Sequence, residues 1–296
     1  MPSLPVRIVS FILGTTGIVR RRFSGGARFL TTIRAAQALP RSGPTAKMVQ
    51  QFAVTSSDFG GSAVWTMAPK DGPPATHILF WHGGGYVYPI SPLHWKFLAH
   101  MVEKYRWSVT VPYYPLAPDS DAQRTTSWAL DFYRQYALAR GGTFIMAGDS
   151  AGGGLAAAIA MLARDAALPL PSKLLLICPW LALDPSDAEQ AAIEPHEVIL
   201  TRGGIAEAGE LYAGDLPVND PRCSPIFGSW DGLPPIMAFG GGNDILVTDA
   251  RALKAKLLAT EYVELPGMMH DWPIFFFSES RAAQNQMADF AGHAIP

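Results

Sequence analysis

Apolar residues along the chain fall into short runs whose spacing switches between two periods. Runs with β-type texture occupy 51–55, 63–67, 77–81, 107–111, 143–147, 173–178, 235–239 and 261–265. Between them, 93–105, 122–139, 153–164, 248–259 and 278–291 repeat their apolar residues at helical spacing. Strands alternating with helices of this length predict an α/β fold, with a mostly parallel central sheet and helices on both faces. The strand run at 173–178 is apolar on both sides from Leu174 on, as such a sheet requires.

The alternation fails twice. Residues 1–45 read as helical and apolar, and 183–225 is a partly helical stretch richer in acids and broken by Pro185, Pro195, Pro217 and Pro221. An insertion inside an α/β core suits a helical cap over a site. The expected organisation is an N-terminal cap segment at 1–45, a catalytic core at 46–182 and 226–296, and a cap insertion at 183–225. In such sheets a site lies at the carboxyl ends of the strands, so the residues just after each strand are the ones to inspect.

After the run 143–147 stands Gly148-Asp149-Ser150-Ala151-Gly152, followed at once by an alanine-rich helix. A serine between two glycines at a strand-to-helix turn is where a nucleophile can be held up for attack, with helix N–H groups behind it. The pattern lacks the G-K-[ST] ending of a phosphate-binding loop. After the run 77–81 comes His82-Gly83-Gly84-Gly85. Consecutive glycines cost conformational entropy unless the backbone itself is used, and their N–H groups can receive an oxyanion together with that of Ala151. His82 reads as a residue ordering this loop.

A serine hydroxyl needs a base. Of seven histidines, His77 starts a strand, His94 and His100 lie on a helix, His196 lies in the insertion and His293 in the tail. Only His270 sits in a loop directly after a late strand, which makes it the base by position. Asp244 follows the run 235–239 through a glycine-rich turn and is the expected acid partner; Asp249 falls in the first turn of the next helix, where it favours the dipole. The order Ser150, Asp244, His270 is the one that an α/β-hydrolase uses. No histidine pair has metal-ligand spacing with an acid nearby, so no metal and no cofactor is expected.

Composition changes this picture little. Lysine and arginine total 23 against 25 acids, for a net charge of −2, which gives no basic surplus for nucleic acid. Charged residues are only 16% of the chain, so some apolar surface is expected around a pocket or at a homodimer contact. Cys178 and Cys223 form no disulfide framework, which fits a reducing, cytoplasmic setting. Near the N-terminus, Arg7 precedes an apolar stretch and Arg20-Arg21-Arg22 follows it. The stretch is too short to span a bilayer and lacks a small-residue cleavage site, so an amphipathic segment without stable membrane insertion is expected.

The motifs resemble those of hormone-sensitive-lipase-like esterases in the α/β-hydrolase superfamily. The resemblance rests on His82-Gly83-Gly84-Gly85, Gly148-Asp149-Ser150-Ala151-Gly152-Gly153, Asp244-Ile245-Leu246, Gly267-Met268-Met269-His270 and the run from Ser224-Pro225 to Gly232-Leu233-Pro234-Pro235. It implies Ser150 as nucleophile, Asp244 and His270 as its partners, and Gly84, Gly85 and Ala151 as oxyanion donors. It also implies a small-molecule ester substrate with a short acyl chain. An amidase or formamidase with the same triad and a non-catalytic ligand-binding protein stay open as alternatives. Among the residues flanking the motifs, Tyr86 and Met269 are the expected substrate contacts. Two departures stand out. The chain reads Tyr114-Pro115-Leu116-Ala117-Pro118-Asp119 where Arg-Leu-Ala-Pro-Glu is usual, and Asp271 where glycine commonly follows the histidine.

Overall fold

The computed structural model of the protein describes residues 1–140 and 143–292. His293 lies outside the described residues. Eight strands form one sheet: β1 (Ala53–Phe59), β2 (Ser62–Ala68), β3 (Thr76–Trp81), β4 (Trp107–Pro112), β5 (Ile145–Asp149), β6 (Lys173–Ile177), β7 (Ile236–Gly241) and β8 (Glu261–Leu265). Ten α-helices accompany them among the described residues: α1 (Leu4–Thr16), α2 (Phe29–Ala38), α3 (Ala46–Gln51), α4 (Pro92–Tyr105), α5 (Ala122–Arg140), α6 (Ala151–Asp165), α7 (Ala188–Ile193), α8 (Arg202–Ala213), α9 (Val247–Lys256) and α10 (Ser278–Phe290).

The strand order is β1-β2-β4-β3-β5-β6-β7-β8, antiparallel at β1–β2 and β2–β4 and parallel from β4 to β8. From β3 the chain moves one way to β4 and then returns to the other side as β5. The loops leaving β3 and β5 therefore diverge and open a crevice at the carboxyl edge of the sheet. His82-Gly83-Gly84-Gly85 and Ser150 leave from those two strands.

The sheet holds because its middle is buried on both sides. All of β4 and β5 are buried, and Trp81, Trp95, Trp107, Trp180 and Trp272 are each at most 1% exposed. Each such side chain contributes on the order of 1.5–3 kcal/mol of burial. Small residues on α6, from Ala151 to Ala163, let that helix lie close under β3, β5 and β6. Helix α4 starts from a reciprocal cap: the Ser91 N–H donates to His94 Nδ1, Ser91 Oγ accepts from the His94 N–H, and Pro92 takes the first turn.

Two expected boundaries move. The ladder of β5 runs on through Gly148 and Asp149, which pair with Leu176 and Ile177, so the strand ends two residues later than its apolar run. β1 lies at 53–59 instead of 51–55; most of its residues are exposed, so no apolar alternation marks it. The N-terminal segment and the stretch after β6 pack on one another. The Thr201 hydroxyl donates to the Phe23 carbonyl, and Gly204 packs against the Phe23 backbone so closely that a β-carbon there would overlap it. At the other end of α1, both the N–H and the hydroxyl of Ser3 donate to the Glu279 carboxylate on α10, at 2.6 and 3.0 Å.

Candidate active site

β5 ends at Asp149 and α6 begins at Ala151, which leaves one residue to turn the chain. Ser150 does so at φ 52° and ψ −124°, a conformation that costs a non-glycine residue about 1–3 kcal/mol. Its N–H donates to the Ile177 carbonyl at 2.8 Å, and its carbonyl accepts from the Trp180 N–H at 3.0 Å. The turn closes because Gly148 and Gly152 lack side chains. A β-carbon on Gly148 would overlap the Gly152 carbonyl, and one on Gly152 would overlap the Trp81 carbonyl.

The serine hydroxyl lies 2.9 Å from His270 Nε2, and His270 Nδ1 lies 2.9 Å from Asp244 Oδ2. His270 stands in the loop after β8 and Asp244 in the turn after β7. The second Asp244 oxygen accepts the Leu246 N–H at 2.8 Å, which fixes the carboxylate plane. All three residues are buried. Asp271 brings its Oδ2 to 3.2 Å from the same His270 Nε2. Burial opposes charge on the ring, but the Asp244 and Asp271 carboxylates and their hydrogen bonds outweigh it and hold His270 well above the usual imidazole range. Burial pushes the Asp271 carboxyl up to about 7, against the pull of His270. His270 and Asp271 thus stand close enough to share one proton.

A second buried cluster supports the first. Asp149 Oδ1 accepts the Gly83 N–H at 2.9 Å, and Oδ2 lies 2.9 Å from His94 Nε2. Burial would raise the Asp149 carboxyl, but His94 and the Gly83 amide outweigh it and hold it below the usual carboxylate value. The Asp149 charge draws the His94 pKa upward against burial, while the Ser91 amide aimed at Nδ1 requires a lone pair there. The amide geometry decides: His94 donates through Nε2–H as a neutral ring. His82 bonds the Gly83 carbonyl through Nδ1 at 2.7 Å and stacks on Tyr114; burial above all depresses it to about 3. It orders the glycine loop as a neutral ring.

A cavity of about 320 Å³ opens onto Ser150, His270, Asp271 and Gly84. Leu13, Val19 and Phe23 of the N-terminal segment wall it on one side, with Tyr88, Leu200 and Phe275 among the rest of the lining. Among the described residues, the N–H groups of Gly84, Gly85 and Ala151 donate to no protein acceptor.

The residues 78–274 match the family model described as the α/β-hydrolase fold. The chain belongs to that family. A triacylglycerol lipase of Mycobacterium tuberculosis is 30% identical over 227 residues, covering 74% of this chain; the chain spans about half of that lipase, 47% of its length. An acetyl-hydrolase of Streptomyces hygroscopicus is 31% identical over 202 residues, 66% of this chain and 67% of the relative. Other relatives carry the names esterase and carboxylesterase. A solved hormone-sensitive-lipase homologue from a metagenome library shares the fold with a TM-score of 0.82 and 23% identity, covering 97% of each chain. The likeness to hormone-sensitive-lipase-like esterases read from the motifs is thereby upheld.

Within this α/β-hydrolase the expected residues do not all converge. Ser150, Asp244 and His270 meet, and Gly84 lies in the cavity wall, whereas Gly85, next to it in the chain, and Ala151, next after Ser150, do not line it. Tyr86 and Met269 do not reach the cavity, which corrects their expected role as substrate contacts. Tyr86 has φ 61°, which turns its ring away to stack on Tyr212 with centroids 3.5 Å apart. Met269 is buried behind the loop at 1% exposure. Tyr88 and Phe275 line the cavity in their place. Asp249 does more than face a helix dipole, because its Oδ2 accepts the Leu181 and Ala182 N–H groups at 2.6 and 2.8 Å.

The pairing of Asp149 with His94 carries no local sequence signal, since one fills the unspecified position of G-x-S-x-G and the other is a histidine on a helix. Glu197, in the insertion, carries none either. It accepts the Ile199 and Ile245 amides beside Asp244, and burial together with the Asp244 charge lifts it to about 7. Cys178, His270 and Asp271 bring one ligand-type atom each within 4.8 Å of one another. Burial keeps the Cys178 thiol far above its usual range, so it stays protonated, and His270 is already bonded at both nitrogens. This donor set does not suit a metal ion.

Proposed function

We propose that the chain is a serine carboxylesterase that forms an acyl-enzyme on Ser150. That it hydrolyses carboxylic esters follows from its family and its relatives named esterase and carboxylesterase. The serine mechanism rests on one observation, the unbroken pair of 2.9 Å bonds from Ser150 Oγ through His270 to Asp244, set at the floor of a cavity.

In this reading His270 takes the Ser150 proton as Oγ attacks the ester carbonyl. Asp244 holds the ring by its Nδ1–H and stabilises the imidazolium that forms. The unused N–H groups of Gly84, Gly85 and Ala151 receive the negative oxygen of the tetrahedral intermediate; each such donor is worth on the order of 2.7–4 kcal/mol. His270 then protonates the leaving alcohol; water attacks the acyl-enzyme while giving a proton to His270, and His270 returns that proton to Ser150 Oγ as the acid departs.

The residues 1–45 and 183–225 act as one cap over the crevice, since the packing of Phe23 against Thr201 and Gly204 joins them. A cavity of about 320 Å³ suits a short acyl chain and a small alcohol, and the acetyl-hydrolase relative agrees with that preference.

The test is hydrolysis of p-nitrophenyl butyrate by the wild-type chain and Ser150→Ala, together with labelling by a fluorophosphonate and mass mapping of the adduct. Turnover and a Ser150 adduct in the wild type, with neither in a folded variant, are the expected results. Equal rates in the two chains would remove Ser150 from the chemistry.

A further inference from the structure

Helix α1 is apolar on two sides. Val6 is buried and Val9 and Leu13 pack on the core. Leu4, Ile8, Phe11 and Ile12 face outward and are 65, 50, 69 and 51% exposed. Those four recur at helical spacing and make one outer stripe, which Ile18, 67% exposed, extends past the helix end. A helix that is apolar all round is normally covered on both sides, and a contiguous exposed apolar patch marks a contact surface.

Charge says what covers it. Eight arginines and lysines precede Asp58 and no acid does, although the whole chain carries −2. Arg7, Arg21, Arg22 and Arg28 are exposed and, among the described residues, make no ion pair, unlike Arg20 and Arg34. A second copy meeting this face with its own like face would bring those arginines together with no acid of the segment to answer them. An anionic lipid surface supplies both missing partners, an apolar layer for the stripe and phosphates for the guanidinium groups.

We propose that α1 and the turn after it dock the protein, lying flat, on an anionic lipid surface. Among the described residues no helix is long and apolar enough to cross a membrane, which agrees with a face that lies on the layer. The same segment gives Leu13, Val19, Arg22 and Phe23 to the cavity wall, so docking sets the cavity mouth beside the lipid. The inference stands apart from the catalytic assignment.

The full chain is sedimented with vesicles of phosphatidylcholine alone and of phosphatidylcholine with phosphatidylglycerol at about three to one. Binding is expected to the anionic vesicles only, and to fall at least about tenfold at about 1 M salt, where screening shortens to about 3 Å. Ile8→Asp with Phe11→Asp, and separately Arg21→Gln with Arg28→Gln, are each expected to lower the lipid partition at least about tenfold with unchanged butyrate hydrolysis and circular dichroism. These four residues lie outside the cavity wall. Equal binding to neutral vesicles, no binding to either, or variants that bind as the wild type does would overturn the proposal. So would a vesicle-free dimer in sedimentation velocity that Ile8→Asp with Phe11→Asp converts to monomer, because the face would then be a contact between copies.

Discussion

Asp271 and Ser150 converge on one atom: the Asp271 carboxylate lies 3.2 Å, and the Ser150 hydroxyl 2.9 Å, from His270 Nε2. The imidazole therefore stands between two carboxylates, Asp244 on one nitrogen and Asp271 on the other. A negative group at Nε2 stabilises the protonated ring, and only the unprotonated ring can take the serine proton. In the wild type, activity is expected to climb on the alkaline side of neutrality.

Asp271→Asn should move the acid limb of kcat/KM to lower pH, since the removed charge is one that raised the His270 pKa. Butyrate hydrolysis followed from about pH 5 to about pH 9 reads this directly. A limb that stays in place would mean that Asp271 is protonated throughout and acts only by shape.

Asp149→Ala takes the acceptor from both His94 Nε2–H and the Gly83 amide in a buried site. The expected loss is about 2–6 kcal/mol of stability, on the scale of about 1–3 kcal/mol for each of the two buried donors left without an acceptor, with a fall in kcat because the glycine loop is untethered. The sign with pH follows from the depressed carboxyl: its contribution is complete above the ordinary value near 3.8 and disappears as pH falls through the lower folded value. Urea unfolding near neutral pH should separate variant from wild type clearly, and the gap should narrow in acid. A gap that widens in acid would contradict the assignment.

Gly152→Ala sets a methyl group on the Trp81 carbonyl, backbone against backbone. The variant should lose about 4 kcal/mol or more, or fail to fold. Gly26→Ala supplies the contrast: its methyl group meets open space at the surface, so the loss should be far smaller despite the positive φ. Thermal unfolding of the two variants makes the comparison, and equal losses would show that overlap at Trp81 costs no more than the left-handed backbone does at Gly26.

Leu200 faces the cavity from the stretch after β6. Leu200→Ala should raise the ratio of octanoate to butyrate kcat/KM about tenfold, and Leu200→Trp should lower it, on the scale of about 1–3 kcal/mol per methylene-sized change. Identical chain-length profiles in all three chains would place the acyl group elsewhere.

What is legible in the sequence depends on whether a residue's surroundings are local. Ser150, Asp244 and His270 each follow a strand, and the alternation of strand and helix brings such positions to one edge, so their meeting is foreseeable. The role of Asp149 depends on His94, 55 positions away, and on which way a capped helix turns that ring. Nothing in the local pattern carries that. The expected place of Tyr86 fails for a related reason. It adjoins the glycine loop in sequence, but a left-handed backbone at that one residue sends its ring to Tyr212 in the core. Phe275-Phe276-Phe277 reads as a single apolar block, yet Phe275 lines the cavity and Phe276 is 39% exposed.

The fastening of α1 sets how substrate can enter. Ser3 ties one end of the segment to α10 through Glu279, and Phe23 ties the other to Thr201. A bar pinned at both ends cannot swing as a hinged flap; it must let go at one end first. The Glu279 end is joined by two hydrogen bonds near the surface, while the Phe23 end is wedged against the backbone of α8 at Gly204. Entry should therefore begin at Ser3, with the segment slackening from there toward Phe23, and the rate of that slackening becomes a quantity that substrate size can probe.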